Sequence, residues 1–443
     1  MPVKTVKFGG SSLADENQFK KVAAICKADP SRRYIVPSAP GKRFKDDVKV
    51  TDMLYGCYDA VDSDEFESRF AAVKARFDGI ISALGLDMSL EHEYEKIKTS
   101  LLLLSGRDYA ASRGEYLNGM ILAKYLGVPF IDAAKVIFFK EDGRFDAEKT
   151  NAVLSAKLKK YPTAVIPGFY GSMPNDTIKT FSRGGSDITG AIVARASQSD
   201  LYENWTDVSG FFAADPRIVE NPKLISVITY RELRELSYMG ASVLHEDSVF
   251  PVRIASIPIN IRNTNSPEDA GTLIVDEIES SRGATVTGIA GRKGFCSITV
   301  EKDMMNSALG FGRKILGVLE QNGVSFEHIP SGIDSVSVVV AEASIAGKEE
   351  KIENELKELI DPDRFEIERD LALISVVGRG MIRKKGISAR LFTGLADAGI
   401  NVRMIDQGSG ELNIIVGVAE KDFENAVRAI YSAFDKCGFF DVK

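Results

Sequence analysis

The stretch VKTVKFGGSS at residues 3–12 reads as a short strand, Val3 to Phe8, that breaks at Gly9-Gly10. A helix follows, with Phe19, Val22, Ala23 and Cys26 on one face at i, i+3, i+4 and i+7 spacing. Strand, paired glycines and helix open an α/β domain with a parallel-rich sheet, and strands keep alternating with helical stretches to about Val275. Tyr34 to Pro37, Ala164 to Phe169, Ile178 to Phe181, Leu201 to Thr206 and Ile257 to Arg262 read as further strands. Asn175-Asp176 marks a hairpin turn, and Asn263 to Gly271 leads out of the domain. Ser63 to Thr99 is helix-rich, a helical hairpin or lid on one reading and a plain solvated pair on the other.

Beyond Gly283 the chain repeats itself. Lys314 to Ile329 (KILGVLEQNGVSFEHI) lies on Arg390 to Ile405 (RLFTGLADAGINVRMI) without a gap, with Gly323 on Gly399 and Val336 to Val340 on Leu412 to Val416. Each copy reads helix, Gly stop, strand, turn, strand, helix, closed by Lys348 to Ile360 and Lys421 to Phe434. With leading strands at Cys296 to Val300 and Leu373 to Val377, this gives two βαββαβ units, a paired α+β module. The expected division is 1–280, 284–365 and 366–443, with the boundary between the last two left open to an interleaving in which 366–443 takes a first strand from Thr285 to Ala290, within 284–300.

A chain of 443 residues has room for these three domains. Its 56 Lys and Arg against 63 Asp and Glu leave a formal net charge of −7 with no basic block, which argues against non-specific nucleic-acid binding but not against a small anion. Four dispersed cysteines and three histidines argue against a disulfide framework, a zinc site or a His-rich metal site. No apolar run approaches the ~18 residues of a membrane span, and a cytosolic protein is expected.

Neither GxxxxGK[ST] nor GxGxxG occurs. Two other glycine clusters carry the chemistry. In KFGGSS, Gly9, Gly10 and Ser11 bring backbone N–H groups and a helix N-terminus toward a phosphate, and Lys7 reaches a transferring phosphoryl group as a point charge. A tight turn beside a solvated lysine accounts for the same residues. In FSRGGSD at 181–187, Arg183 can clamp a carboxylate, Ser186 offers a hydroxyl and Asp187 can orient Lys7 or a substrate ammonium. Helix capping explains that serine and aspartate but not the arginine. Glu115, in SRGE at a helix start, can pair with an amino group or simply be a first-turn acid. Asp207 and Arg217 suit a ribose and a phosphate, although turn chemistry alone would account for Asp215-Pro216. His245, Glu246 and Asp247 read better as a helix start than as a metal cluster.

Together, KFGGSS at 7–12, SRGE at 112–115, FSRGGSD at 181–187, WTDVSGFFAADPR at 205–217 and GASVLH at 240–245 resemble aspartate kinase over essentially the whole chain. The resemblance implies the amino-acid-kinase fold, a three-layer α/β sandwich with a mostly parallel sheet, followed by two ACT domains. It implies phosphoryl transfer from ATP, with Mg²⁺ bound mainly through the phosphates, to the side-chain carboxylate of L-aspartate. Lys7 and Asp187 would be catalytic, and Ser38, Thr51, Glu115, Arg183 and Ser186 would hold aspartate. Lys7, Gly9, Gly10, Ser11, Thr206, Asp207, Phe212 and Arg217 would contact the nucleotide. An amino-acid effector, lysine or lysine with threonine, would bind near Met305, Gly310, Asp334 and Ser335, and the ACT pair implies a homodimer or dimer of dimers. Many relatives carry Lys at Ser242, Pro at Glu246 and Tyr at Phe212. Two rivals stand beside this reading: a kinase of the same fold with another acceptor, and an amino-acid sensor that has lost transfer.

Overall fold

The computed structural model describes residues 2–182, 184–240, 246–277, 284–408 and 410–440, with the side chains of 246–248 left aside. The chain divides into two compact units. One comprises Met1–Phe211, Ser226–Tyr230 and Val243–Glu277, the other Phe212–Ile225, Arg231–Ser242 and Ile278–Lys443.

The first unit is built on a seven-stranded sheet of order β3-β2-β1-β6-β8-β9-β7. Its strands are β1 (Lys4–Phe8), β2 (Arg32–Pro37), β3 (Ala164–Val165), β6 (Leu201–Thr206), β7 (Val227–Thr229), β8 (Ile259–Asn263) and β9 (Thr272–Val275); β4 (Tyr170–Ser172) and β5 (Ile178–Thr180) form a separate hairpin. All neighbours run parallel except β8 and β9. The strand expected over Ala164 to Phe169 is regular only over Ala164–Val165, although Ile166 and Gly168 still donate their N–H groups to Ile35 O and Pro37 O; Pro167 between them has none to give. Side-chain alternation explains the three layers. Val6, Phe8 and Ile35 join one core, whereas Tyr34 and Val36 join the other.

Helices α1 (Glu16–Ala28), α2 (Val50–Asp59), α3 (Phe66–Ala83), α4 (Glu91–Leu102) and α5 (Arg107–Leu126) cover the first face. Helices α6 (Ala147–Leu158) and α7 (Gly185–Ser197) cover the second. The helix-rich stretch 63–99 is therefore neither lid nor solvated pair. Phe70, Val73 and Phe77 of α3 and Tyr94, Ile97 and Leu101 of α4 are buried in the first core. SRGE does not open a helix: it lies in the middle of α5, which is buried on nearly every side. Gly114 is needed there, because a Cβ would stand 2.8 Å from that of Ala39. Helix α8 (Tyr230–Tyr238) falls almost wholly in the second unit, and α9 (Glu246–Ile254) in the first.

The second unit carries a six-stranded antiparallel sheet, β11-β12-β10-β13-β15-β14. Strands β10 (Gly288–Glu301) and β13 (Arg364–Val377) run side by side through its centre. Around them lie β11 (Phe326–His328), β12 (Ser335–Ala341), β14 (Val402–Asp406) and β15 (Asn413–Ala419). Gly288 to Arg292 pair with Leu373 to Val377 beside β15, whereas Phe295 to Glu301 pair with β12. Each long strand thus serves both repeats. Helices α10 (Phe311–Gln321), α11 (Glu342–Ile345), α12 (Glu349–Ile360), α13 (Ile387–Asp397) and α14 (Phe423–Asp435) complete the unit. Ile315, Val318 and Leu319 of α10 pack with Ile352 and Leu356 of α12 on Ile298, Val300 and Val338 of the sheet.

Candidate active site

The carboxyl ends of β2, β1 and β6 meet at one edge of the parallel sheet, with β1 in the middle. Lys7 is next to last in β1 and lies opposite Asn204 in the β1–β6 register, so both side chains leave the same face. Asp187, in the first turn of α7, meets them there. Its Oδ1 is 2.6 Å from Lys7 Nζ and accepts from Asn204 Nδ2 at 2.8 Å, and Lys7 Nζ also donates to Asn204 Oδ1 at 3.3 Å. The Lys7 side chain is 9% exposed and that of Asp187 20%, so the ammonium is fixed in direction and open on one side.

Sequence reasoning missed Asn204. Its partner is 197 residues away, and a polar residue in ENWT looks like ordinary strand alternation. Only the register of β1 against β6 reveals it.

Gly10, Ser11, Ser38, Thr51, Glu115 and Asp207 are brought together around one cleft of about 570 Å³. Gly9 serves the sheet: its N–H donates to Trp205 O at 3.0 Å. Ser38 is held by its own N–H to Phe8 O and by Asn118 Nδ2 donating to its carbonyl at 2.6 Å. Ser186 is buried in α7 against Gly168, where a Cβ would stand 2.6 Å from the serine Oγ. Thr206 donates its hydroxyl to Asp207 Oδ1 at 3.1 Å.

Glu115 is buried, and its Oε2 has no hydrogen-bond partner. Burial pushes its carboxyl up to about 8, opposed by the N–H of Ala39, its own N–H and the charge of Arg113. The folded value lies above the ordinary 4.5, so Glu115 costs stability progressively as pH rises from about 4.5 to about 8. A cation at Oε2 would reverse that cost.

Phe212 and Arg217 fall in the second unit. There Phe212 bridges to Leu224, and the 86%-exposed Arg217 side chain pairs with Asp215 at 2.6 Å. Arg183, Ser242, His245 and the Glu246 side chain lie outside the described residues. Among the described residues no three His, Cys, Asp or Glu side chains gather as a metal-holding group, and no helix is long and apolar enough to cross a membrane.

The chain matches the amino acid kinase family over residues 3–263 and an ACT domain over residues 374–434. Aspartokinase 3 of Bacillus subtilis (strain 168) is 39% identical over 451 residues, 98% of each chain. The crystal structure of Clostridium acetobutylicum aspartate kinase is 54% identical with a TM-score of 0.90, covering 98% of this chain and 100% of that one. E. coli aspartokinase III, solved with aspartate and ADP, shares the fold at a TM-score of 0.72 and 24% identity, covering 98% and 100%. A fixed lysine–aspartate pair at a parallel sheet edge, an antiparallel sheet of paired repeats and full-length likeness to two aspartokinases lead to one assignment: the chain belongs to the aspartokinases of the amino acid kinase family.

Proposed function

We propose that this aspartokinase transfers the γ-phosphoryl group of ATP to the side-chain carboxylate of L-aspartate, giving 4-phospho-L-aspartate and ADP. The observation that carries the reading is the Lys7–Asp187–Asn204 triangle at the end of β1, after which Gly10 and Ser11 line a cleft together with Glu115, whose buried Oε2 has no hydrogen-bond partner. An aspartate carboxylate oxygen attacks the γ-phosphorus as the bond from that phosphorus to the bridging oxygen of ADP breaks. The attacking group is already ionised, so no general base is needed. Catalysis then rests on positioning and charge. Lys7 stabilises the equatorial oxygens in transit, and Asp187 and Asn204 keep its ammonium in place. Gly10 and Ser11 face the phosphates. Glu115 takes the substrate ammonium and Arg183 a carboxylate, while Ser38, Thr51 and Ser186 complete the aspartate site. Thr206, Asp207, Phe212 and Arg217 are the nucleotide contacts that the family resemblance suggests, and Mg²⁺ enters with ATP. Incubation with ATP, Mg²⁺, L-aspartate and hydroxylamine should yield aspartyl hydroxamate; its absence would overturn the reading.

Aspartate binding near neutral pH is expected to release a proton, because an ammonium at Oε2 favours the ionised Glu115. Calorimetry in buffers of different ionisation enthalpy measures it. Glu115→Gln should lose the release and raise the KM for aspartate about 10- to 100-fold, with kcat less affected.

The regulatory reading goes with this one: 1–280 catalyses, and 284–365 and 366–443 bind an amino-acid effector, lysine alone or with threonine. Met305, Gly310, Asp334 and Ser335 are the candidate contacts. The highly exposed side chains of Met304, Leu309 and Ile333 lie close to them in sequence and suit a surface covered by a second copy in a homodimer. A cytoplasmic setting fits the same chemistry.

A further inference from the structure

We propose that residues 42–49 form a second anion-binding wall of the active-site cleft, one that receives the polyphosphate of the nucleotide. This rests on the reading of ATP as phosphoryl donor. The segment GKRFKDDVK, 41–49, contains no motif, and its acids make it look electrically mixed in the sequence.

Folding separates those charges. Lys42, Arg43, Lys45 and Lys49 line the same cleft as Gly10 and Ser11. Asp47 is drawn away to anchor the loop. It accepts from Arg43 Nε at 2.8 Å and from Arg76 Nη1 at 2.9 Å, with its side chain only 9% exposed. Arg76, also buried, donates to Ala14 O at 2.9 Å and Gly41 O at 2.8 Å, which ties the loop base to the core. Gly41 in turn donates its N–H to Gly10 O at 2.8 Å. A Cβ on Gly41 would stand 2.6 Å from the carbonyl carbon of Gly10, so only glycine lets the loop lie against the phosphate turn.

The lysines that result line the cleft without being neutralised. Lys42 donates to Lys45 O at 3.4 Å, and neither Lys45 nor Lys49 makes an ion pair among the described residues. The acids lining the cleft are Glu115 and Asp207. A cationic rim of this kind gathers anions from a chain whose sum is −7. Lysines act as point charges and suit a polyphosphate, whereas a single carboxylate is better gripped by a guanidinium fork.

The full chain carrying Lys42→Gln, Lys45→Gln and Lys49→Gln together tests the proposal. At low ionic strength its KM for MgATP is expected to rise about tenfold, with kcat and the KM for aspartate within about twofold of the parent. ADP affinity measured by calorimetry should fall by a similar factor, and the difference from the parent should shrink as salt is added. The corresponding triple Lys→Arg variant should keep the parental affinity, which separates charge from folding. Unchanged ADP affinity in the Gln variant overturns the wall, as does a rise confined to the KM for aspartate. If the parent forms no hydroxamate while the Gln variant still loses ADP affinity, the wall stands and the reaction assignment fails.

Discussion

Lys7→Met is expected to lower turnover by about 10²- to 10³-fold or more while leaving the KM for aspartate near its parental value. A methionine fills the space of the alkyl chain, so the β1 backbone and its pairing with β2 and β6 are preserved. What disappears is the positive charge that Asp187 and Asn204 hold at the end of β1. Asp187 keeps its bond from Asn204 Nδ2, so the variant should fold. Asn204→Ala leaves the 2.6 Å Lys7–Asp187 contact but frees the ammonium on one side. About a tenfold loss in kcat with unmoved KM values is expected, because positioning is disturbed but no charge is lost. Single-turnover hydroxamate formation separates chemistry from product release in both variants. A Lys7→Met variant retaining more than a tenth of parental turnover would remove Lys7 from the chemistry.

The elements legible in the sequence were those with a local signal. The Val3–Phe8 strand, its glycine break and the amphipathic helix after it need only neighbouring residues to read. The gapless match of Lys314–Ile329 to Arg390–Ile405 likewise predicted α10 and α13, which sit at equivalent places in the two repeats. What stayed hidden depends on distant register or on burial. Helix α5 has no polar stripe to reveal where it starts, so Glu115 looked like a first-turn acid when it is a mid-helix carboxyl in the protein interior. Gly9 looked like a phosphate donor, yet the parallel pairing of β1 and β6 gives its N–H to Trp205. Asn204 and the cationic loop show the same thing from the other side: polar residues without a motif acquire a role only when the sheet edge is assembled.

Glu203→Ala is expected to destabilise the first unit by about 3–5 kcal/mol, the range for removing one partner of a buried ion cluster. The Glu203 side chain is 1% exposed. Its Oε2 accepts from Arg32 Nε at 2.8 Å and Trp205 Nε1 at 2.9 Å, and its Oε1 lies 3.4 Å from both Arg32 Nη2 and Lys4 Nζ. The guanidinium groups of Arg32 and Arg262 lie 5.1 and 4.8 Å from the Trp205 ring centre. Without the carboxylate, Arg32 keeps only Ile25 O at 2.7 Å and the indole face, two cations flank one ring, and the indole N–H is buried without an acceptor. Glu203→Gln retains an acceptor for the indole but removes the charge, so it should fall between the parent and the alanine variant. The consequence reaches the active site along β6. Trp205 holds Gly9 through its carbonyl, and the preceding residue is Asn204. At a temperature where the alanine variant is still folded, kcat should therefore drop with little change in either KM, the signature of misplaced catalytic groups and not of lost substrate contacts. Thermal unfolding gives the first quantity and steady-state kinetics the second. A variant with unchanged unfolding would show the cluster to be energetically balanced, and unchanged kcat in a destabilised variant would uncouple the Trp205 cage from the Lys7–Asp187–Asn204 triangle.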